Sequence, residues 1–162
     1  AGNIVGSLGA VALVALSGTL FIGGGDVAVT ALKIAAGKTQ LPFFEALIRG
    51  VLCNTLVCLA VWLAFAAHTV PGKVMAVIFP VTAFVALGFE HSVANMYLIP
   101  VGFVAAQDVA TVTTSGLTTE ALSTLTPAGF MANLIPVTIG NILGGSVLVA
   151  AVYWLCYLRP SK

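Results

Sequence analysis

Long apolar runs separated by a few charged positions dominate the pattern of this chain. Four runs stand out, at about residues 3–22, 43–67, 74–106 and 130–158. Apolar residues occupy all sides of each run instead of alternating with polar ones, which favours helices over the strands of a membrane barrel. Because a crossing helix needs about 20 apolar residues, the pattern predicts a single transmembrane domain over residues 1–162 with four crossings.

The third run is interrupted at its centre by the ionisable pair Glu90 and His91. Its apolar flanks, residues 74–87 and 93–106, have 14 residues each, and roughly 21 Å of helix is too short to cross alone. Ionisable groups at membrane depth are costly, so they usually face a cavity, a pathway or a partner. The pattern predicts one crossing made of two half-helices, broken at Gly88–Ser92.

Composition places the chain among all-α integral membrane proteins. It is 60% apolar and 7% charged, whereas soluble domains carry about 25% charged residues. The net charge of +1 provides no basic patch for a nucleic acid. Cys53, Cys58 and Cys156 lie inside apolar runs and are interpreted as packing residues. No nucleophile–base pair or metal-ligand spacing is visible, so we expect neither catalysis nor a cofactor.

Charge placement gives the predicted orientation. Four crossings put both termini on one side, and the Lys and Arg counts of the two sides are nearly tied. The loop after the third run holds Asp108 and Glu120 without a cation, whereas the C-terminal tail holds Arg159 and Lys162. The positive-inside rule therefore predicts a multi-pass protein of the cell inner membrane with a cytoplasmic C-terminus.

A short internal repeat suggests a larger symmetric protein. Residues 2–6 (GNIVG) match residues 140–144 (GNILG), and both pairs of glycines have the four-residue spacing that lets membrane helices approach closely. If the match is real, the first and fourth runs are the third helices of two repeats. Three helices per repeat is an odd number, so the repeats would be inverted in the membrane. We therefore expect this chain to be the C-terminal part of a six-helix protomer.

The polar residues of the break are the first candidates for chemistry. His91 has an unperturbed pKa of about 6.5, so it could exchange a proton or donate to an anion; alternatively Glu90 or Asn95 holds it only to stitch the break. Glu90 could tune His91, but a role in bonding the free backbone groups is favoured, since a carboxylate facing the pathway would repel an anion. Ser92 could cap the second half-helix, whose N-terminus favours anions.

Several residues outside the break leave two interpretations open. Judged from its own position, Lys38 is interpreted as a solvated lysine at the membrane interface. Asn54 could be an interhelical contact or a pore-lining amide. Phe84, one turn before Gly88, could face the break, although spacing alone favours a lipid-facing ring. Glu45 and Arg49 stand four residues apart, which predicts a structural ion pair.

The string of residues 88–96 (GFEHSVANM) closely resembles the signature of the formate/nitrite transporter family. Residues 49–62, 133–141 and 2–3 resemble the family as well. The resemblance implies a six-helix protomer with an aquaporin-like inverted-repeat fold, assembled as a homopentamer with one pore per protomer. It also implies transport of small monovalent anions across the lipid bilayer: formate, nitrite, hydrosulfide, sometimes acetate or lactate. The family's first two helices have no counterpart in this chain.

The resemblance also assigns roles to residues of the substrate pathway. His91 matches the family's central histidine, and Lys38 matches its lysine between the third and fourth helices. The family's polar network matches Glu90, Asn95 and Asn54, and its apolar constrictions match Phe84 and Val57. Residues 97–100 (YLIP) are similar to those of formate channels, so formate is favoured over nitrite. Proton-coupled transport and a passive channel both remain open.

Two other classes of function compete with this interpretation. A membrane-anchor subunit of a redox complex would use histidines as haem ligands. His68 lies near the turn after the second run and His91 lies at the midplane, which disfavours a shared haem. A purely structural scaffold gives no reason for a Glu–His pair at membrane depth.

Overall fold

The computed structural model describes residues 2–158, and Arg159 and Lys162 of the orientation argument lie outside the described residues. Every regular element in this range is a helix. The α-helices are α1 Gly2–Leu16, α2 Asp26–Thr39, α3 Phe43–Ala66, α4 Val70–Ala86, α5 Ser92–Ala105, α6 Val109–Ser115, α7 Thr119–Ser123 and α8 Pro127–Leu143. Two π-helical segments, Gly144–Ala151 and Trp154–Leu158, continue α8.

The break in the third run is present. Helix α4 has 17 residues and ends at Ala86, and α5 has 14 residues and begins at Ser92. Residues 87–91 between them, hereafter the helix break, contain the ionisable pair. The prediction of two half-helices around residues 88–92 is therefore confirmed.

Within residues 2–158, three apolar stretches are long enough to cross a membrane: Thr19–Thr39 with 21 residues, whose backbone is not helical at Ile22, Gly23 and Gly24, and the helices Phe43–Ala66 with 24 and Pro127–Leu158 with 32. The last two agree with the predicted runs at 43–67 and 130–158. Helices α5 and α6 are a further apolar pair, bent by 109° at a short connection. The predicted broken crossing instead pairs α4 with α5, and that pairing stays a prediction.

The beginning of the chain differs from the predicted run over residues 3–22. Helix α1 ends at Leu16, a 3-10 segment follows at Thr19–Gly25, and α2 then carries Lys38 in its last turn. Gly23, Gly24 and Gly25 take positive φ angles of 67°, 86° and 86°. Because glycine adopts this left-handed conformation without the penalty of a Cβ atom, the triplet redirects the chain between two helices. Lys38 therefore lies on a helix and not in a connecting segment.

The chain forms two compact units. Within the described range, the first comprises residues 2–43 and 92–135, and the second comprises residues 44–91 and 136–158. In the first unit, α5 packs against α1 and α2. Its buried core consists of Val11, Leu20, Ala28, Leu32, Val101 and Ala105. A Cβ atom built on Gly102 would lie 2.1 Å from the Ala35 Cβ atom, so α2 and α5 are in close contact through small residues.

The second unit is built around a contact between α3 and α8. A Cβ atom on Gly140 would lie 2.2 Å from the Leu47 carbonyl oxygen, and one on Gly144 would lie 2.2 Å from the Val51 carbonyl oxygen. Glycine at both positions lets the two backbones approach directly. The close approach predicted from the glycine spacing of residues 140–144 is therefore present.

Candidate functional site

The helix break begins with a tight C-terminal turn of α4. Gly88 takes a left-handed φ of 66°, its N–H group donates to the Val85 carbonyl at 3.1 Å, and the Phe89 N–H group donates to the Phe84 carbonyl at 2.9 Å. These two bonds form a Schellman motif, which satisfies carbonyl groups that the helix end would otherwise leave open. The glycine at position 88 is therefore the residue that allows α4 to stop at this point of the apolar run.

Main-chain bonds to α3 and α8 hold Glu90 in the middle of the break. Its N–H group donates to the Arg49 carbonyl at 3.3 Å. Its own carbonyl accepts a hydrogen bond of 2.9 Å from Asn141 Nδ2, which also donates to the Gly50 carbonyl at 2.9 Å. The Glu90 residue is only 3% exposed. Since unbonded peptide groups are costly in an apolar environment, these bonds fix the backbone immediately before His91.

His91 follows this fixed backbone and is half-buried. Its ring stacks on Phe84, with ring centroids 6.2 Å apart and an angle of 27° between the planes. Phe84 is half-buried and belongs to the last turn of α4. Of the two orientations that spacing left open for Phe84, the one facing the break is therefore observed.

The candidates on α3 lie along its packed middle. Asn54 donates from Nδ2 to the Asn141 carbonyl of α8 at 2.6 Å, so its amide makes the interhelical bond considered from the sequence. Val57 is half-buried three residues further along α3. Asn141 therefore connects Asn54, Gly50 and the helix break, and the second unit brings together His91, Glu90, Phe84 and Asn54.

A second polar chain lies in the first unit. Asn95 is fully buried and donates from Nδ2 to Asn133 Oδ1 at 2.7 Å. Asn133 is 1% exposed and donates from its own Nδ2 to the Lys38 carbonyl at 2.9 Å. The Lys38 main chain is thereby fixed at the end of α2, and its half-buried side chain starts from a defined position. This unit thus brings together Lys38 and Asn95.

Arg49 is a charged contact of the break. Its Nη2 atom forms the ion pair with Glu45 predicted from their four-residue spacing, and its Nη1 atom donates to the Gly88 carbonyl at 3.3 Å. The Arg49 and Glu45 side chains are 37% and 44% exposed. Arg49 therefore contacts the break twice, through this guanidinium and through the backbone carbonyl that accepts from Glu90.

Sequence reasoning missed Asn133, Asn141 and the second contact of Arg49. Asn133 and Asn141 lie eight residues apart on α8, about two helical turns, and both are buried within an apolar run. A buried amide in such a run needs a partner, and that signal was available. Among residues 2–158, no group of three or more His, Cys, Asp or Glu side chains could hold a metal ion.

The family model described as formate/nitrite transporter matches residues 1–155. The formate channel FocA of Escherichia coli is 44% identical over 164 residues, which cover 99% of this chain and 57% of that protein. A probable formate transporter of Methanothermobacter thermautotrophicus is 48% identical over 128 residues, covering 78% of this chain and 41% of that protein.

Solved structures show the same likeness. A structure described as a pentameric formate channel with formate bound matches with a TM-score of 0.87 and 38% identity, covering 98% of this chain and 63% of that one. An FNT family ion channel matches with a TM-score of 0.77 and 34% identity, covering 98% and 56%. The all-α membrane fold is therefore confirmed over nearly the whole chain, which spans less than two thirds of the length of these relatives.

Proposed function

We propose, since this chain belongs to the formate/nitrite transporter family, that it forms part of a membrane pathway for small monovalent anions, with formate as the main substrate. The observation that supports this proposal most strongly is the helix break. Glu90 is held by its neighbours' backbone and amide groups, and the next residue, His91, stacks on Phe84. Intramembrane histidines at such breaks are typical of ion and proton pathways.

The pathway needs groups that compensate the desolvation of an anion, which costs far more than one hydrogen bond returns. In the proposal, Lys38 attracts the anion and raises its local concentration. His91 donates a proton to it, so that a neutral acid passes the apolar ring of Phe84; in the alternative, His91 stays a neutral hydrogen-bond donor and the anion passes with part of its water shell. Asn54, Asn95 and Glu90 keep the polar elements in place, and Val57 lines a second apolar constriction.

Assembly and location follow from the same family membership. A similar solved structure is described as pentameric, and we propose a homopentamer with one pathway per protomer in the cell inner membrane, with the C-terminus in the cytoplasm. Measuring the mass of the purified complete gene product in detergent tests the assembly. Protease protection of a C-terminal epitope in inside-out vesicles tests the orientation, because a cytoplasmic terminus would be cleaved there.

The substrate proposal allows a specific alternative, a channel for nitrite or hydrosulfide. Formate is favoured because FocA and the Methanothermobacter relative are both named for formate. The membrane-anchor subunit of a redox complex is set aside, because the transporter family model matches residues 1–155.

One experiment tests the function and the role of His91 together. Formate uptake into proteoliposomes holding the complete gene product is followed by stopped flow with a dye for internal pH, comparing the wild type with His91→Asn. We expect fast formate entry with protons in the wild type, and anion flux without proton movement in the variant. No formate uptake by the wild type would overturn the substrate proposal. Intact proton movement in His91→Asn would overturn the proton role.

A further inference from the structure

The helix break lies at the negative end of α4, which opposes an anion. The C-terminal end of an α-helix carries a partial negative charge of about half a unit, and α4 ends at Ala86, just before the break. An anion pathway through this region therefore requires a compensating positive charge.

Arg49 is the permanent cation in contact with this end of α4. Among the described residues of the second unit, the lysines and arginines are Arg49 and Lys73. Lys73 lies in the first turn of α4, 13 residues before Ala86 and thus roughly 20 Å away along the axis. The Arg49 guanidinium, in contrast, donates directly to the Gly88 carbonyl at 3.3 Å.

The position of this charge is fixed relative to His91. The Arg49 carbonyl accepts from the Glu90 N–H group at 3.3 Å, so the same residue holds the break by its backbone and by its side chain. The side chain is 37% exposed. A guanidinium has five N–H donors, and the bonds to Glu45 and Gly88 use only part of that capacity.

We propose that Arg49 determines anion selectivity at the helix break by offsetting the negative end of α4, and that Glu45 weakens its field. This inference rests on the proposed anion pathway. Glu45 precedes Arg49 by one helical turn and is itself 44% exposed, so its carboxylate cancels part of the positive charge that an approaching anion meets. The Glu45–Arg49 ion pair is therefore a structural contact that also determines how much positive charge an anion meets at the helix break.

The test uses four variants of the complete gene product in proteoliposomes, and initial formate flux is measured at low and high ionic strength. Arg49→Gln removes the charge and Arg49→Lys keeps it. Glu45→Gln removes the opposing charge but keeps an acceptor for the guanidinium. Lys73→Gln is the matched control, since it removes a cation from the opposite end of α4. Size-exclusion profiles and melting temperatures identify any variant that fails to fold.

At an ionic strength of about 0.01 M, where charges act over about 30 Å, we expect Arg49→Gln to lower flux on the order of fivefold and Glu45→Gln to raise it. Both effects should shrink at about 1 M salt, where the screening length is about 3 Å. Arg49→Lys should retain most of the flux, and Lys73→Gln should match the wild type.

A purely structural role gives a different pattern. Arg49→Lys would then fail as badly as Arg49→Gln, because a lysine lacks the planar fork that spans Glu45 and Gly88. The losses would also be equal at both salt concentrations, and either result overturns the proposal. If Arg49→Gln does not fold, a Glu45→Gln flux that equals the wild type at low salt overturns it. An inactive wild type would instead overturn the proposed function.

Discussion

Asn141 Nδ2 lies 2.9 Å from the Glu90 carbonyl oxygen, a hydrogen bond that links α8 to the middle of the helix break across 51 residues of sequence. The same nitrogen donates to the Gly50 carbonyl of α3. The Asn141 amide therefore bonds one carbonyl of α3 and one carbonyl of the helix break. The first belongs to Gly50, next to Arg49, and the second belongs to Glu90, next to His91.

Replacing Asn141 with leucine should destabilise the protein and impair transport together. The Gly50 and Glu90 carbonyls would each lose the hydrogen bond from this amide in a buried environment, at about 0.5–1.5 kcal/mol for each bond. Thermal unfolding in detergent and formate flux in proteoliposomes measure the two effects. Ser146→Ala is the matched control, because the Ser146 hydroxyl is exposed and bonds only a carbonyl of its own helix. Equal melting temperatures for the two variants would contradict this prediction.

The glycine contact between α3 and α8 should not tolerate a methyl group. In Gly140→Ala the new Cβ atom would lie 2.2 Å from the Leu47 carbonyl oxygen, a backbone atom that cannot rotate away. We expect overpacking to lower the free energy of unfolding by about 1–3 kcal/mol, measured by unfolding in detergent. In Gly37→Ala the added Cβ atom would meet no described atom within 4 Å, so this variant should be neutral or stabilised by helix propensity. A Gly140→Ala protein as stable as the wild type would show that α3 and α8 can separate without cost.

Lys38→Ala should lower anion uptake more at low ionic strength than at high. The reason is that a half-buried cation at the end of α2 acts on a distant anion through its field, which salt screens. Lys33→Ala removes an exposed cation from the same helix and serves as the control. An equal loss at both salt concentrations would argue that Lys38 acts through geometry instead.

Asp108 lies outside the predicted membrane spans, and it should make part of the protein's stability depend on pH. Hydrogen bonds from the Thr111 hydroxyl and N–H groups, at 2.7 Å and 2.8 Å, lower the pKa of this carboxyl below its usual range. A folded-state pKa below the unfolded one gives stability that is complete above the unfolded pKa and is lost as pH falls through the folded one. The melting temperature of wild type should therefore fall more on acidification than that of Asp108→Ala. Parallel curves for the two proteins would contradict this assignment.

Much of the fold was predictable because length and charge placement constrain membrane helices strongly. The ionisable pair in a long apolar run located the helix break, and the uncharged stretch of residues 130–158 located the last long helix. The start of the chain was harder. Three successive glycines are compatible with the end of one helix and with the start of another. The lysines that follow them made residues 26–39 resemble a polar connection, whereas these residues form α2.

The partners of the buried amides were not predictable from local pattern. Asn133 bonds the Lys38 carbonyl from 95 residues away, and Asn141 bonds the Gly50 carbonyl from 91 residues away. Which carbonyl each amide meets depends on how helices that are distant in the sequence pack together, and no local pattern specifies that packing. The roles of the pathway residues in transport remain predictions, since each depends on an anion that only a flux measurement can follow.

The backbone contact of α3 with α8 has a consequence for motion. Side chains at most helix interfaces can change rotamer and so absorb small shifts, but here glycine faces carbonyl groups directly. Arg49 and Gly50 are adjacent in α3: the Arg49 carbonyl accepts from the Glu90 N–H group of the helix break, and the Gly50 carbonyl accepts from Asn141, which also donates to the Glu90 carbonyl. A sliding movement of α3 would therefore also displace His91, because backbone hydrogen bonds connect α3 to Glu90, the residue before it. Conformational changes of this protein should therefore leave these contacts within the second unit intact.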